Sequence, residues 1–410
     1  MAAFNAFLEL FLRWAHVVAG ISWIGASFYF MWLDASLKRR AGMEPGVKGE
    51  NWSVHGGGFY HTQKYMVAPE AMPDDLHWFQ WESYATWLSG AALLAVLYWW
   101  NAELYLVDPA KADLLPWQAI ALSAGGLVGG WLVYDGLCRS PLARQPVVLF
   151  AVLFVLITAT AYGYGLVFSG RAAFLQTGAM MATAMSGNVF FIIIPNQRVV
   201  VADLKAGRTP DPKYGVIAKL RSTHNNYLTL PVIFLMLSNH YPETFGNAEA
   251  WVFVVIALVL GAIVRHWFNT YETGAKGLAV AWQWPAALAL ALGMTAFASI
   301  PTGPAATPVA NAAANAEGLN AVLDPVAFEV VEARCVTCHA AEPTFAGFTA
   351  PPAGIVLETP QLMRRHADAI IAQSVTTHAM PLGNVTQMTD NERAILAAWA
   401  GEGAGEASAQ

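Results

Sequence analysis

The sequence predicts an all-α protein in two parts. A polytopic membrane bundle of about eight transmembrane helices fills 1–300, and a small helical domain fills 324–410. Three observations predict this. Hydrophobic residues make up 56% of the 410 positions and charged residues only 12%, where a water-soluble chain carries about 25% charge. Apolar runs long enough to cross a bilayer recur throughout the first 300 residues. From Pro325 onward there are 4 basic and 9 acidic residues, against 18 and 19 before it, so the tail is a separate object. The composition excludes a soluble enzyme, and with 12% aromatic residues it excludes a disordered chain. A net charge of −6 gives no nucleic-acid footprint.

The spans are expected at 6–33, 83–101, 117–137, 147–169, 173–197, 226–240, 250–269 and 278–300. The sixth is the weakest, being short and holding Pro231. The first is a span rather than a cleaved signal peptide. It lacks a basic start, carries Glu9 and has no small-residue exit. Alternate connections gather the positive charge: Lys38, Arg39, Arg40, Lys48 and Lys64, then Arg139 and Arg144, then a run from Arg198 to Arg221, then Arg265 and Lys276. The other side holds only Lys111 and Arg171. Because basic loops stay in the cytoplasm, both termini are expected outside it. Residues 301–323, mixing Pro, Ala, Asn and Gly, are expected to form a flexible linker.

The sharpest motif is Cys335-Val336-Thr337-Cys338-His339. C-x-x-C-H is the attachment sequence of c-type haem. Two thiols one turn apart reach the two vinyl groups of a porphyrin, and the next residue, His339, becomes the proximal iron ligand. Cys138 stands alone and is expected to be a small buried hydrophobe. Around the motif, Asp324-Pro325 is expected to cap and start a helix. Thr389-Asp390-Asn391-Glu392 is a capping box opening a last helix, with Ile395, Leu396 and Trp399 on one face. Residues 325–401 resemble the class I cytochrome c module. The stretch His378-Ala379-Met380-Pro381-Leu382-Gly383 is similar to that family's Met-Pro loop. The resemblance implies Met380 as the sixth iron ligand, with Met363 and Met388 as packing residues and His366 or His378 as bis-His alternatives.

The bundle carries weaker signals. His16 lies inside the first span, where an ionisable side chain is costly and often functional. It is a candidate ligand of a second, non-covalent haem, or a packing histidine. In His55-Gly56-Gly57-Gly58-Phe59-Tyr60-His61, the glycines would let backbone amides approach an anion, with His55 and His61 beside them. The alternative is an ordinary interfacial turn. His77 and Glu82 flank the second span, His224-Asn225-Asn226 opens the sixth, and Arg265-His266 ends the seventh. These polar groups share the end of the bundle where the basic connections lie, and they would suit a planar, hydrogen-bonding substrate. His16, His55, His61, His77, Glu82 and His224 are therefore the catalytic candidates.

At this point a whole-chain resemblance becomes specific. The first helix WAHVVAGISWIGASFYFMWLD, the loop HGGGFYHTQKY, eight spans and a terminal CVTCH domain are similar to the membrane-bound, cytochrome c-fused urate oxidases. The resemblance implies oxidation of urate to 5-hydroxyisourate in bacterial purine catabolism. It implies the bacterial inner membrane, with the cytochrome domain in the periplasm. Electrons would pass through a covalent haem c to a downstream cytochrome or terminal oxidase. The competing reading is a quinol-oxidising or other electron-transfer subunit of a respiratory complex. A haem–copper core is disfavoured because no His-His pair exists. A transporter is disfavoured because no internal repeat is visible.

Overall fold

The computed structural model describes residues 2–300 and 316–403, apart from 45, 67–68, 70–72, 347 and 349. The chain opens with α1 (Ala2–Ser36) and a hairpin of β1 (Val47–His55) and β2 (Gly58–Tyr65). Then come α2 (Trp81–Leu93), continued by a wider π-helical stretch to Trp99, and the short α3 (Ala102–Tyr105). The bundle proceeds through α4 (Pro116–Arg139), α5 (Pro146–Val167) and α6 (Gly170–Gly187), which runs on into α7 (Ile194–Lys205). It finishes with α8 (Pro212–Leu237), α9 (Pro242–Phe245), α10 (Trp251–Glu272), α11 (Leu278–Ala281) and α12 (Gln283–Ala298). The C-terminal unit holds α13 (Ala316–Arg334), α14 (Pro360–Arg365), α15 (Ala367–Ile370) and α16 (Asp390–Gly403).

Among the described residues, six helical stretches are long and apolar enough to cross a membrane: Phe7–Ser36, Pro116–Arg139, Pro146–Val167, Gly170–Lys205, Trp251–Glu272 and Leu278–Ala298. Eight spans were expected. The other two expected spans fall on α2 and α8. Pro212 starts α8 well before the apolar run, so Lys213, Lys219 and Arg221 occupy its early turns. The chain is mostly helical but not entirely so. The HGGGFYH segment is a β-hairpin in which His55 pairs with Gly58 across a two-residue turn. Gly56 and Gly57 both have positive φ, which only glycine adopts without cost. These glycines are explained by the turn, and the expected loop is corrected to two strands.

α6 is the centre of the bundle. Residues from Ala172 to Ser186 are buried around most of its circumference, because α2, α4, α5 and α8 all pack on it. A helix apolar on every face belongs in an interior. Small residues let the helices close up: a Cβ at Gly187 would sit 2.7 Å from the Trp131 ring. Internal polar groups are tied across helices. Trp99 Nε1 donates to Ser123 Oγ at 2.9 Å, Ser123 Oγ donates to Gln176 Oε1 at 2.9 Å, and Ser83 and Ser186 share a bond of 3.0 Å. Large apolar side chains such as Val128, Leu132, Val155 and Leu292 face outward, as a lipid-facing surface requires.

The C-terminal unit has its own core, built from Val330, Val331, Leu357, Met363, Met388, Leu396 and Trp399. Met363 and Met388 are thus packing residues. The capping box forms as expected: Glu392 N donates to Thr389 Oγ1 at 3.3 Å, and Thr389 N donates to Glu392 Oε2 at 2.7 Å. Trp399 Nε1 donates to Asp324 Oδ1 at 2.8 Å, clamping α16 to α13. α13 begins at Ala316, ahead of the expected start at Asp324-Pro325, and carries Pro325 inside it. The last eight residues of the expected linker are therefore helical, and 301–315 lie outside the described residues.

This unit sits on the end of the bundle opposite the basic connections. The loop around Gly383 meets α3, and a Cβ at Gly383 would lie 2.8 Å from the Leu104 carbonyl oxygen. A Cβ at Gly246 would collide with the Thr377 carbonyl. Between the two parts lies a cleft of about 310 Å³, with Arg171, Asn247, His378 and Arg393 on its walls. Gly246→Ala is therefore expected to unseat the C-terminal unit without unfolding either part. Limited proteolysis of membranes should then cut between the two parts faster than in the wild type. An unchanged cleavage rate would show that the contact does not hold the seat.

Candidate functional site in the bundle and the C-terminal haem motif

Polar and charged side chains concentrate on α8, at the end of the bundle where the basic connections gather. The helix buries Arg221, His224, Asn225, Asn226 and Thr229. Burying so many polar groups is affordable only if they are paired. The pairs fall into two clusters on opposite sides of α8.

The first cluster faces α4 and the end of α6. Arg221 is 1% exposed, and its Nη2 donates to Asp135 Oδ1 at 2.6 Å. Its Nη1 donates to Asn188 Oδ1 at 3.1 Å, and its guanidinium lies 5.1 Å from the Tyr134 ring centroid. Asn188 Nδ2 donates to Tyr134 Oη and to Asn225 Oδ1, both at 2.8 Å. Tyr134 Oη and His224 Nδ1 are 2.9 Å apart, and Cys138 Sγ is 3.8 Å from the same nitrogen. Asp135 Oδ2 takes a further bond of 2.6 Å from Arg139 Nε at the exposed helix end. A continuous hydrogen-bonded chain thus runs from Arg139 to His224. His224, Tyr134 and Tyr227 also line a mostly apolar cavity of about 360 Å³ between α4, α5, α6, α8 and α10. That is the size range of small-molecule sites.

The second cluster faces α10 and α1. Arg265 Nε donates to Asn226 Oδ1 at 2.5 Å, and Asn226 Nδ2 donates to Asn269 Oδ1 at 3.0 Å. The Arg265 guanidinium lies 3.8 Å from the centroid of the Phe28 ring. Just outside, Tyr227 Oη and His266 Nδ1 are 3.0 Å apart.

Residues 2–298 match the family described as urate oxidase N-terminal. The chain belongs to that family. No curated protein and no solved structure is detectably similar to it. The family therefore assigns a urate-related enzyme to the bundle, and its match stops short of the C-terminal unit.

Of the expected site residues, the structure brings His224 together with Asn225, and Asn226 together with Arg265. Arg221 and Arg265, counted from sequence among the loop cations, prove to be buried inside the bundle. Sequence reasoning did not single out Tyr134, Asp135, Asn188 or Asn269. Their signal was the cost of a charged or amide side chain beside an apolar span. The remaining candidates have other partners. His16 Nδ1 sits 3.0 Å from Thr86 O and 3.1 Å from Ser89 Oγ, and its ring packs against Gly90 of α2. His61 stacks on Trp52 at 4.2 Å and bonds Glu50 Oε2 at 2.7 Å. That bond from His61 helps hold the Glu50 carboxyl below its usual range. His55 ends β1 at the hairpin turn, and His77 meets Phe79 edge-on at 4.6 Å. Glu82 buries Oε2 without a partner among the described residues.

In the C-terminal unit, Cys335 and Cys338 follow directly from α13, with His339 N bonded to Cys335 O at 2.9 Å. Burial, with Cys338 beside it, pushes the Cys335 thiol up to about 12. His339 Nδ1 lies 3.0 Å from the Ile355 carbonyl oxygen. Donation from Nδ1 to a carbonyl leaves Nε2 with its lone pair free, the arrangement a metal-ligating histidine needs. The Met380 backbone is pinned on both sides. Its N–H donates to Gln373 O at 2.9 Å, and its carbonyl accepts from Arg393 Nη1 at 2.8 Å. Arg393 also donates to the Ser374 carbonyl. Among the described residues no three His, Cys, Asp or Glu converge on a metal position. A haem iron asks for only two protein ligands, so this donor set fits covalent haem.

Proposed function

We propose that the protein lies in a bacterial inner membrane and oxidises urate to 5-hydroxyisourate. Its electrons pass to a c-type haem carried by the C-terminal unit. The observation that carries this is the match of the whole bundle to the urate oxidase N-terminal family, in a chain that continues into Cys-x-x-Cys-His.

The half-reaction balances as urate plus water giving 5-hydroxyisourate, two electrons and two protons. The substrate binds in the polar layer on α8. The imidazole of His224, on the α4 side of that layer, takes up a proton that the oxidation releases. The chain through Tyr134, Asn188 and Arg221 to Asp135 fixes its orientation and links it to the exposed Arg139. Cys335, Cys338, His339 and Met380 would hold the haem, which when bound supplies a one-electron acceptor of raised potential. The seating of the C-terminal unit opposite the basic connections supports a periplasmic position for it. From there a downstream cytochrome or terminal oxidase would collect the electrons.

The test is urate consumption by the purified full-length protein, kept anaerobic, with ferricyanide as the final acceptor. The expected result is loss of urate with two ferricyanide reduced per molecule. Oxidation of a quinol but never of urate would replace this function with that of a quinol-oxidising respiratory subunit.

A further inference from the structure

The two arginines buried beside α8 are not equivalent. Arg221 is internally neutralised: Asp135 takes one side of its guanidinium and Asn188 another. Arg265 is 4% exposed, and its one hydrogen bond within the protein runs from Nε to the neutral amide of Asn226. Among the described residues no carboxylate pairs with it, and both of its Nη nitrogens are without a hydrogen-bond partner. Its guanidinium lies over Phe28, which holds the group in place but cancels no charge.

A buried cation without a counter-ion is strongly unfavourable, and proteins keep one only where something else supplies the negative charge. The two free Nη groups form a planar fork that matches a pair of acceptor atoms on a flat anion. Asn226 is fully buried and both ends of its amide are engaged, Oδ1 by Arg265 and Nδ2 by Asn269, so it aims the fork, and the half-buried Asn269 is the amide left to meet the edge of such a ring. We infer that Arg265, with Asn226 and Asn269, is the recognition site for a planar, ring-shaped monoanion, and that the anion is the missing counter-ion of the fold. The inference rests on the proposed function only in naming that anion as urate. It also separates the clusters: the network around Arg221, held by the Asp135 carboxylate, positions, and the one around Arg265, held only by a neutral amide, binds.

The experiment uses the full-length protein in detergent. Binding of urate and of barbiturate, another planar cyclic monoanion, is measured by equilibrium dialysis for wild type, Arg265→Gln, Arg265→Lys and Asn226→Asp. Loss of a charge-assisted fork is expected to weaken urate binding about 10- to 100-fold in Arg265→Gln. Arg265→Lys should recover part of that, because it keeps the charge but not the fork. Asn226→Asp gives Arg265 an internal counter-ion at the position Asn226 Oδ1 now holds. It should therefore raise the thermal midpoint while abolishing anion binding, a combination that a merely structural role would not produce. This variant also decides the matter if Arg265→Gln fails to fold. Unchanged urate affinity in Arg265→Gln or Asn226→Asp overturns the inference and leaves the urate function standing. Arg265-dependent binding of barbiturate but not urate keeps the site and overturns urate as its ligand. Failure of the wild type to bind either anion overturns the inference.

Discussion

Replacing Asp135 with leucine is expected to destabilise the bundle by about 3–5 kcal/mol, because it strands the Arg221 guanidinium without a counter-ion in the interior. Arg221 is 1% exposed, so water cannot take over the lost interaction. Arg221→Met should cost less, about 1–3 kcal/mol, the penalty of a bared acceptor rather than a bared charge. Asp135 then still has Arg139 at 2.6 Å, and the Asn188 Oδ1 acceptor is the main casualty. The double variant Asp135→Leu with Arg221→Met removes both charges and should recover most of the loss. Reversible unfolding in mixed detergent micelles would measure all three. Additive losses in the double variant would show that the pair is not coupled.

The second large effect is chemical. Cys335→Ser combined with Cys338→Ser should abolish covalently retained haem, read as loss of haem-dependent peroxidase staining after denaturing electrophoresis. Each single variant should keep one thioether and a weakened signal. Urate binding to the bundle should survive all of these changes. Cys335 packs against the C-terminal unit's own core. Staining that persists in the double variant would remove haem c from the account.

The helical frame around Cys335-x-x-Cys338-His339 was legible from sequence because its information is local. A C-x-x-C-H run and a Thr-x-x-Glu box each act within one or two turns, and the box forms as expected between Thr389 and Glu392. Six of the eight expected apolar spans were legible for a similar reason, since length and composition decide them among the described residues. The hairpin at 47–65 was not. Its strands lack a sustained apolar alternation, and the glycines at 56–58 suggested an anion loop as readily as a tight turn. Arg221 was misplaced because a cation next to an apolar run looks like a loop residue. Its partner, Asp135, lies 86 positions away and only the fold brings them together. The contrast between Arg221 and Arg265 was invisible for the same reason, since both read as positive charges at span ends. His16 shows the opposite case. Its position inside a span was plain, but the Thr86 carbonyl and Ser89 hydroxyl that satisfy it come from α2.

The central claim is that oxidation in the bundle is coupled to the C-terminal haem. It is tested most directly by adding urate, without oxygen, to the oxidised full-length protein and following the visible absorbance of the c-haem. Reduction of two haems for each urate lost, abolished in Gly246→Ala, is the predicted result. A haem that stays oxidised while urate disappears, or that is reduced by a quinol and never by urate, would contradict the account.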